Sequence, residues 1–251
     1  MNLATWKDLL NKRGGFSHEE TVALGSVALA SAILFFVQDW DLANATQLDI
    51  AIAFMTSLII TSLVFFIHHF AQRAQGLWLG VTMKFELWWY GLVGGLALSL
   101  LTGGAWSVYA GTATEIESDP SLRLLRFRRY AEPRILGYVI KAGPLAEMFV
   151  ANLLQNLVQW FPSVLFWLAP FANHFFTFSM FFVFWNILPI PPLDGSKMFF
   201  GSRTSYMYLV CFFFAYVLLG HYLQRYSLLL AFLVGVIGVG VYFNFLKENK
   251  K

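Results

Sequence analysis

The sequence predicts an all-α polytopic membrane protein with about six transmembrane helices and one re-entrant element made of a helix and a β-hairpin. Three observations carry this prediction. Of 251 residues, 58% are hydrophobic, 18% aromatic and only 12% charged, far more apolar than a soluble domain of this size. The apolar residues fall in runs of bilayer length, with charges gathered at the ends of the runs. Acidic and basic connections alternate along the chain, which orients the runs. No repeat or low-complexity linker divides the chain, so residues 1–251 read as a single membrane domain. The net charge of +3 is too small, and its cations too tied to segment ends, for a nucleic-acid partner; the lipid bilayer is the partner that composition predicts. With Cys211 the lone cysteine, there is no internal disulfide and no cysteine zinc cluster, so any metal would use His, Asp or Glu.

Met1–Glu20 sets Leu3, Trp6, Leu9 and Leu10 against Lys7, Lys12 and Arg13, as an interfacial helix or a frayed tail would. Thr21–Val37 is a first span, retained because charges run up to Glu20 and no small-residue cleavage site follows. Gln38–Asp49 carries Asp39, Asp41 and Asp49 without a cation and reads as an outside loop. Ile50–His69 crosses inward and brings His68 and His69 to its inner end, with Arg73 and Lys84 beyond.

Trp88–Leu101 is apolar, Gly103-Gly104 turns, and Ala105–Thr112 is rich in strand formers. Arg123, Arg126, Arg128, Arg129 and Arg134 should then stay inside. The stretch between must therefore enter and return, which a membrane tolerates only where protein covers the backbone.

Gly143-Pro144 opens a helix running to Phe161. Asn152, Gln155, Asn156 and Gln159 fall on one stripe of it, for helix-to-helix hydrogen bonds or for lining a wet cavity, while Glu147 lies off the stripe's centre. Pro162 and Pro170 bracket an outside connection, and His174 sits at the interface. Phe171–Leu188 crosses inward, and two spans close the chain (residues 204–246): Thr204–Gly220 and Ser227–Phe245, joined by an outside loop with His221. Lys247, Lys250 and Lys251 outnumber Glu248, so both termini are expected on the cytoplasmic side.

The chemistry gathers around Asn186-Ile187-Leu188-Pro189-Ile190-Pro191-Pro192-Leu193-Asp194-Gly195. Three prolines stiffen a turn that Gly195 releases, and Asp194 sits just past a very apolar span. A carboxylate there is costly unless a cation or donor meets it. The topology places His68, His69, Gln72 and Asp194 at the same inner face.

These two stretches resemble the site-2 protease family of intramembrane zinc metalloproteases. The family pattern is a transmembrane HExxH, giving two histidine ligands and a glutamate base, with a later N-x-x-P-x-P-P-L-D-G whose aspartate is the third ligand. The resemblance spans about residues 50–200, includes Gly143-Pro144 with Glu147 where the family has asparagine, and is similar in layout to archaeal members. It implies zinc held by the HExxH histidines and the aspartate. Here Asn186, Pro189, Pro191, Pro192, Asp194 and Gly195 match. His68 occupies the first ligand position, but His69 replaces the glutamate and Gln72 the second histidine.

Residues four apart share a helix face, and the residues four after His68 and His69 are Gln72 and Arg73, so neither register presents two imidazoles. No residue is assigned a catalytic role. A weak metal site would use His68 and Asp194 with His69 or Glu147, and otherwise Asp194 takes hydrogen bonds or charge from His68, His69 or Arg73. The leading expectation is a catalytically inactive relative without a cofactor, serving as a structural, assembly or client-binding subunit among other membrane proteins. The alternatives are an active zinc metalloprotease with a rearranged site, and a polar path along Glu147 and the amide stripe.

Overall fold

The computed structural model describes residues 3–39, 45–102, 107–109, 111–117, 133–223 and 226–248. The element order is α1 (Leu3–Arg13), α2 (His18–Asp39), α3 (Gln47–Leu79), β1 (Thr82–Leu87), α4 (Trp89–Leu101), β2 (Thr112–Glu117), α5 (Pro133–Ile140), α6 (Ala142–Trp160), α7 (Pro162–Leu165), α8 (Ala169–Ile187), α9 (Asp194–Gly201), α10 (Arg203–Leu223) and α11 (Ser227–Glu248). This is an all-α membrane architecture with one small sheet.

Helices long and apolar enough to cross a membrane are His18–Asp39, Gln47–Leu79, Pro162–Ile187, Arg203–Gly220 and Ser227–Phe245, five among the described residues. Six were expected. The missing one is α6, whose amides lower its hydropathy although it is a full 19-residue helix packed against α3 and α8. The second span also differs. At 33 residues, α3 is ~50 Å long against a hydrocarbon core of ~30 Å, so it continues well beyond His69.

Local chemistry explains the helix starts. Thr46 and Asp49 form a capping box at α3, and Ser17 and Glu20 do the same ahead of α2, with Ser17 N to Glu20 Oε2 at 2.8 Å. α1 is a packed helix: its Trp6 indole donates to Ala74 O at 3.0 Å and meets Trp78 edge-on.

The sheet departs from expectation. The strand begins at Thr112, the last residue of the expected 105–112, and residues 107–109 and 111 are not in it, while 105, 106 and 110 lie outside the described residues; its partner β1 is not expected from the sequence. Strands β1 and β2 pair antiparallel with Phe85 opposite Thr114, and α4 joins them within a wider connection. Residues just upstream are drawn into side-chain packing instead. Tyr109 is fully buried and donates to Gln38 Oε1 at 2.7 Å, and Ser107 O accepts the Trp185 indole at 2.8 Å. Arg123, Arg126, Arg128 and Arg129 lie outside the described residues, while Arg134 is in α5, a helix that the charge pattern alone does not reveal. The connection after Pro162 is helical, and the backbone of His221 lies within α10 instead of a loop.

The core is aromatic and lies between α2, α3 and α8. Phe35, Phe65, Phe178 and Phe182 are buried there, with the Phe65 and Phe182 rings 4.6 Å apart. Between membrane helices such packing contributes mainly through dispersion and close fit. It fixes the rotation of α3, and with it the face that carries His68.

Candidate functional site

His68 and Gln72 are one turn apart on α3, both fully buried, on the face toward α6 and α9. The turn after α8 delivers Asp194 as the first residue of α9, where the free amide ends of a helix favour a carboxylate. Asp194 Oδ2 lies 2.9 Å from His68 Nε2 and 2.6 Å from Gln72 Nε2, and Gln72 Nε2 is also 2.8 Å from His68 Nε2. On the far side of the ring, His68 Nδ1 meets Oε1 of buried Glu147 from α6. One imidazole thus bridges two carboxylates, and three helices meet at it.

Two glycines make this possible. A Cβ on Gly143 would lie 2.7 Å from the His68 ring, so only glycine lets α6 approach it. A Cβ on Gly195 would run into the carbonyl of Ile187, which the tight turn holds beneath it. Asn186 stays out of the cluster: its amide donates to Phe182 O of its own helix at 2.9 Å.

Bridging two carboxylates requires two protons shared along Glu147, His68 and Asp194, because a neutral imidazole can donate from one nitrogen only. Burial pushes the Asp194 carboxyl up. Its hydrogen bond and charge contact with His68, with help from Lys197, outweigh that and leave it at about 2. Lys197 is pushed below the usual lysine range by burial; its ammonium donates to Thr114 O and ties α9 to β2.

The remaining expected residues lie elsewhere. His69 is buried but turned toward β1, its ring 4.4 Å from Phe85, and neither of its nitrogens has a hydrogen-bond partner among the described residues. Arg73 does not meet Asp194. It pairs with Glu20 of α2, donates to Gly15 O and to Met83 O (3.0 Å for the latter), and lies over the Phe16 ring. The reason is helical: one residue turns the side chain ~100° away from Gln72. Glu20 also accepts Phe85 N at 3.2 Å, so this second buried cluster joins α2, α3 and β1. Sequence reasoning passed over Glu20, although its place three residues after Ser17 was a usable signal.

The amide stripe is separate again. Asn152 Oδ1 accepts from Tyr216 of α10 at 3.4 Å, Asn156 is buried, and Gln155 and Gln159 are half-buried. The contact that Asn152 makes is therefore between helices, away from Glu147.

Against a catalytic zinc, the donor set does not fit. Ligands ~2.0–2.1 Å from a tetrahedral zinc stand ~3.3 Å apart, whereas Asp194 Oδ2, His68 Nε2 and Gln72 Nε2 stand closer, with Asp194 accepting a hydrogen bond from each of the other two. Glu147 and Asp194 occupy opposite nitrogens of one ring, so no point is within ligand distance of both and of Nε2. Among the described residues no group of three or more His, Cys, Asp or Glu is placed to hold a metal ion. Gln72 presents an amide donor, and no glutamate follows His68 to act as base.

The chain is 29% identical over 185 residues to a protein of Methanocaldococcus jannaschii named "Putative zinc metalloprotease", a match covering 73% of this chain and 84% of that one. No family model matches the chain, and no solved structure matches it. The chain is thus similar in sequence, over most of its length, to a protein bearing a metalloprotease name.

Proposed function

We propose that this is an inactive relative of the site-2 proteases, a membrane scaffold that has kept the fold and exchanged the metal for a hydrogen-bonded cluster. The observation that carries the reading is Asp194 taking hydrogen bonds from His68 and Gln72 where the family pattern has zinc between aspartate and two histidines. The cluster does the structural work of a metal: it ties α3, α6 and α9 together in the bilayer, where unpaired polar groups are costly. On this reading the protein serves as a structural, assembly or client-binding subunit with other membrane proteins. The similarity to a metalloprotease-named protein supports common descent, and the missing glutamate and second histidine support loss of chemistry.

The test is reconstitution of the full chain in liposomes with transmembrane substrates and added zinc. No cleavage is expected, together with co-purification of other membrane proteins from the native membrane. Turnover that disappears in Asp194→Ala would overturn the reading in favour of an intramembrane zinc metalloprotease with a rearranged site. One observation favours that second reading: Glu147 Oε2 and both His69 nitrogens are buried without partners among the described residues, close to the His68 ring.

A further inference from the structure

A groove of about 260 Å³ opens between the α5–α6 junction, α10 and α11. Its walls come from the end of α5, the residue just before α6, the first turns of α10 and the middle of α11: Tyr138, Lys141, Thr204, Ser205, Tyr208, Val236 and Val239. Lys141 and the hydroxyl-bearing Thr204 and Ser205 line it together with the apolar Val236 and Val239 of α11, and the Ser205 hydroxyl accepts from Ser202 at 3.1 Å, which leaves its own proton to donate. α11 is the least covered of the membrane-length helices among the described residues, and Val236 is half exposed beside the groove.

Lys141 is the informative group. It is half-buried, lies 4.6 Å over the Tyr138 ring, and makes no ion pair with a carboxylate among the described residues. Burial holds its ammonium below the usual lysine range. Small-molecule pockets usually hold ~300–1,000 Å³, so this groove takes a headgroup and the start of its tails, not a whole ligand.

We infer that this groove binds an anionic phospholipid, the phosphate on Lys141 with Thr204 and Ser205, and the first acyl carbons along Val236 and Val239. A cation and hydroxyls at a helix end beside an apolar wall match the order of phosphate and chain in a lipid, and basic pockets between membrane helices are a common form of lipid recognition. The inference is independent of whether the His68 cluster is catalytic, since it shares no residue with it.

Native mass spectrometry of the full chain in detergent tests this with three probes: short-chain phosphatidylglycerol, the matching phosphatidylcholine, and inorganic phosphate. Retention of phosphatidylglycerol in preference to phosphatidylcholine is expected, weakened about tenfold by Lys141→Gln, the loss of one charge-assisted contact. Lys141→Arg should retain binding, which separates loss of the cation from misfolding. Val239→Trp should weaken phosphatidylglycerol binding by filling the apolar wall. Equal retention of the two lipids, or indifference to Lys141→Gln, overturns the site. Saturable binding of inorganic phosphate that outcompetes phosphatidylglycerol overturns the lipid assignment.

Discussion

His68 Nε2 lies 2.9 Å from Asp194 Oδ2, joining residues 126 apart in the chain and fully shielded from solvent. Breaking such a buried pair takes an oppositely charged, hydrogen-bonded partner from a buried group, which costs ~3–5 kcal/mol. Asp194→Ala should therefore lower the thermal midpoint in detergent markedly, and His68→Ala comparably. The double variant should be less destabilised than the sum, by ~1–3 kcal/mol, because the two changes remove one interaction. Additive effects would mean that the contact is not energetically real.

Gly143 gives a steric prediction. The methyl added by Gly143→Ala would lie 2.7 Å from the His68 ring, so the substitution should cost ~1–3 kcal/mol through displacement of the ring or of α6. Gly94 in α4 has open space around its Cβ position, and Gly94→Ala should be neutral or slightly stabilising. Thermal midpoints of the two variants, measured side by side, check this; equal losses would contradict it.

Asp194 sets the acid limb of stability. Its carboxyl is depressed from 3.8 to about 2, and a group depressed on folding contributes stability above its unfolded value. That contribution is complete above about pH 4 and is lost as pH falls toward 2. The wild-type midpoint should fall through this window more steeply than that of Asp194→Asn, which has no such proton to gain. Parallel profiles would show that Asp194 does not carry the acid sensitivity.

Arg73 and Glu20 form the second buried link, from α3 to α2. Arg73→Met strands the Glu20 carboxylate and should cost ~3–5 kcal/mol, whereas Arg73→Met combined with Glu20→Leu should recover much of the loss. Midpoints of the two proteins decide it, and a double variant no better than the single one would argue against the pair.

Much of the fold was legible because membrane helices announce themselves by composition. Most helix bounds follow from apolar runs and capping residues. The exceptions have separate causes. α6 has amides facing its neighbours, so it reads as a span by pattern but not by hydropathy. β1 alternates buried Met83 and Phe85 with exposed Lys84 and Glu86, a period of two that is short and lies beside much longer helical runs. Residues 107–109, expected in a strand, lie outside β2 because Tyr109 has strand propensity but is taken into the core by α2 and α8.

For the site, the turn ending in Asp194 and the paired histidines pointed to two segments that the structure brings into contact through His68 and Asp194. What sequence could not give was rotation about α3. That rotation sends His68 and Gln72 to Asp194, His69 to Phe85 and Arg73 to Glu20. Nor could it show Glu147 as the second carboxylate on His68, since the contact crosses two helices and depends on Gly143.

Rebuilding the pattern is a gain-of-function prediction. Gln72→His together with His69→Glu would place two imidazoles four residues apart on the face that meets Asp194, with a glutamate between them in sequence. The double variant should acquire stoichiometric zinc, and His69→Glu alone should not.

The most direct measurement is the zinc content of the wild-type full chain, purified without chelator from zinc-supplemented cells and determined by elemental analysis beside Asp194→Ala. A hydrogen-bonded cluster in place of a metal predicts only trace zinc, the same in both proteins. Stoichiometric zinc in the wild type that is lost in Asp194→Ala would contradict it.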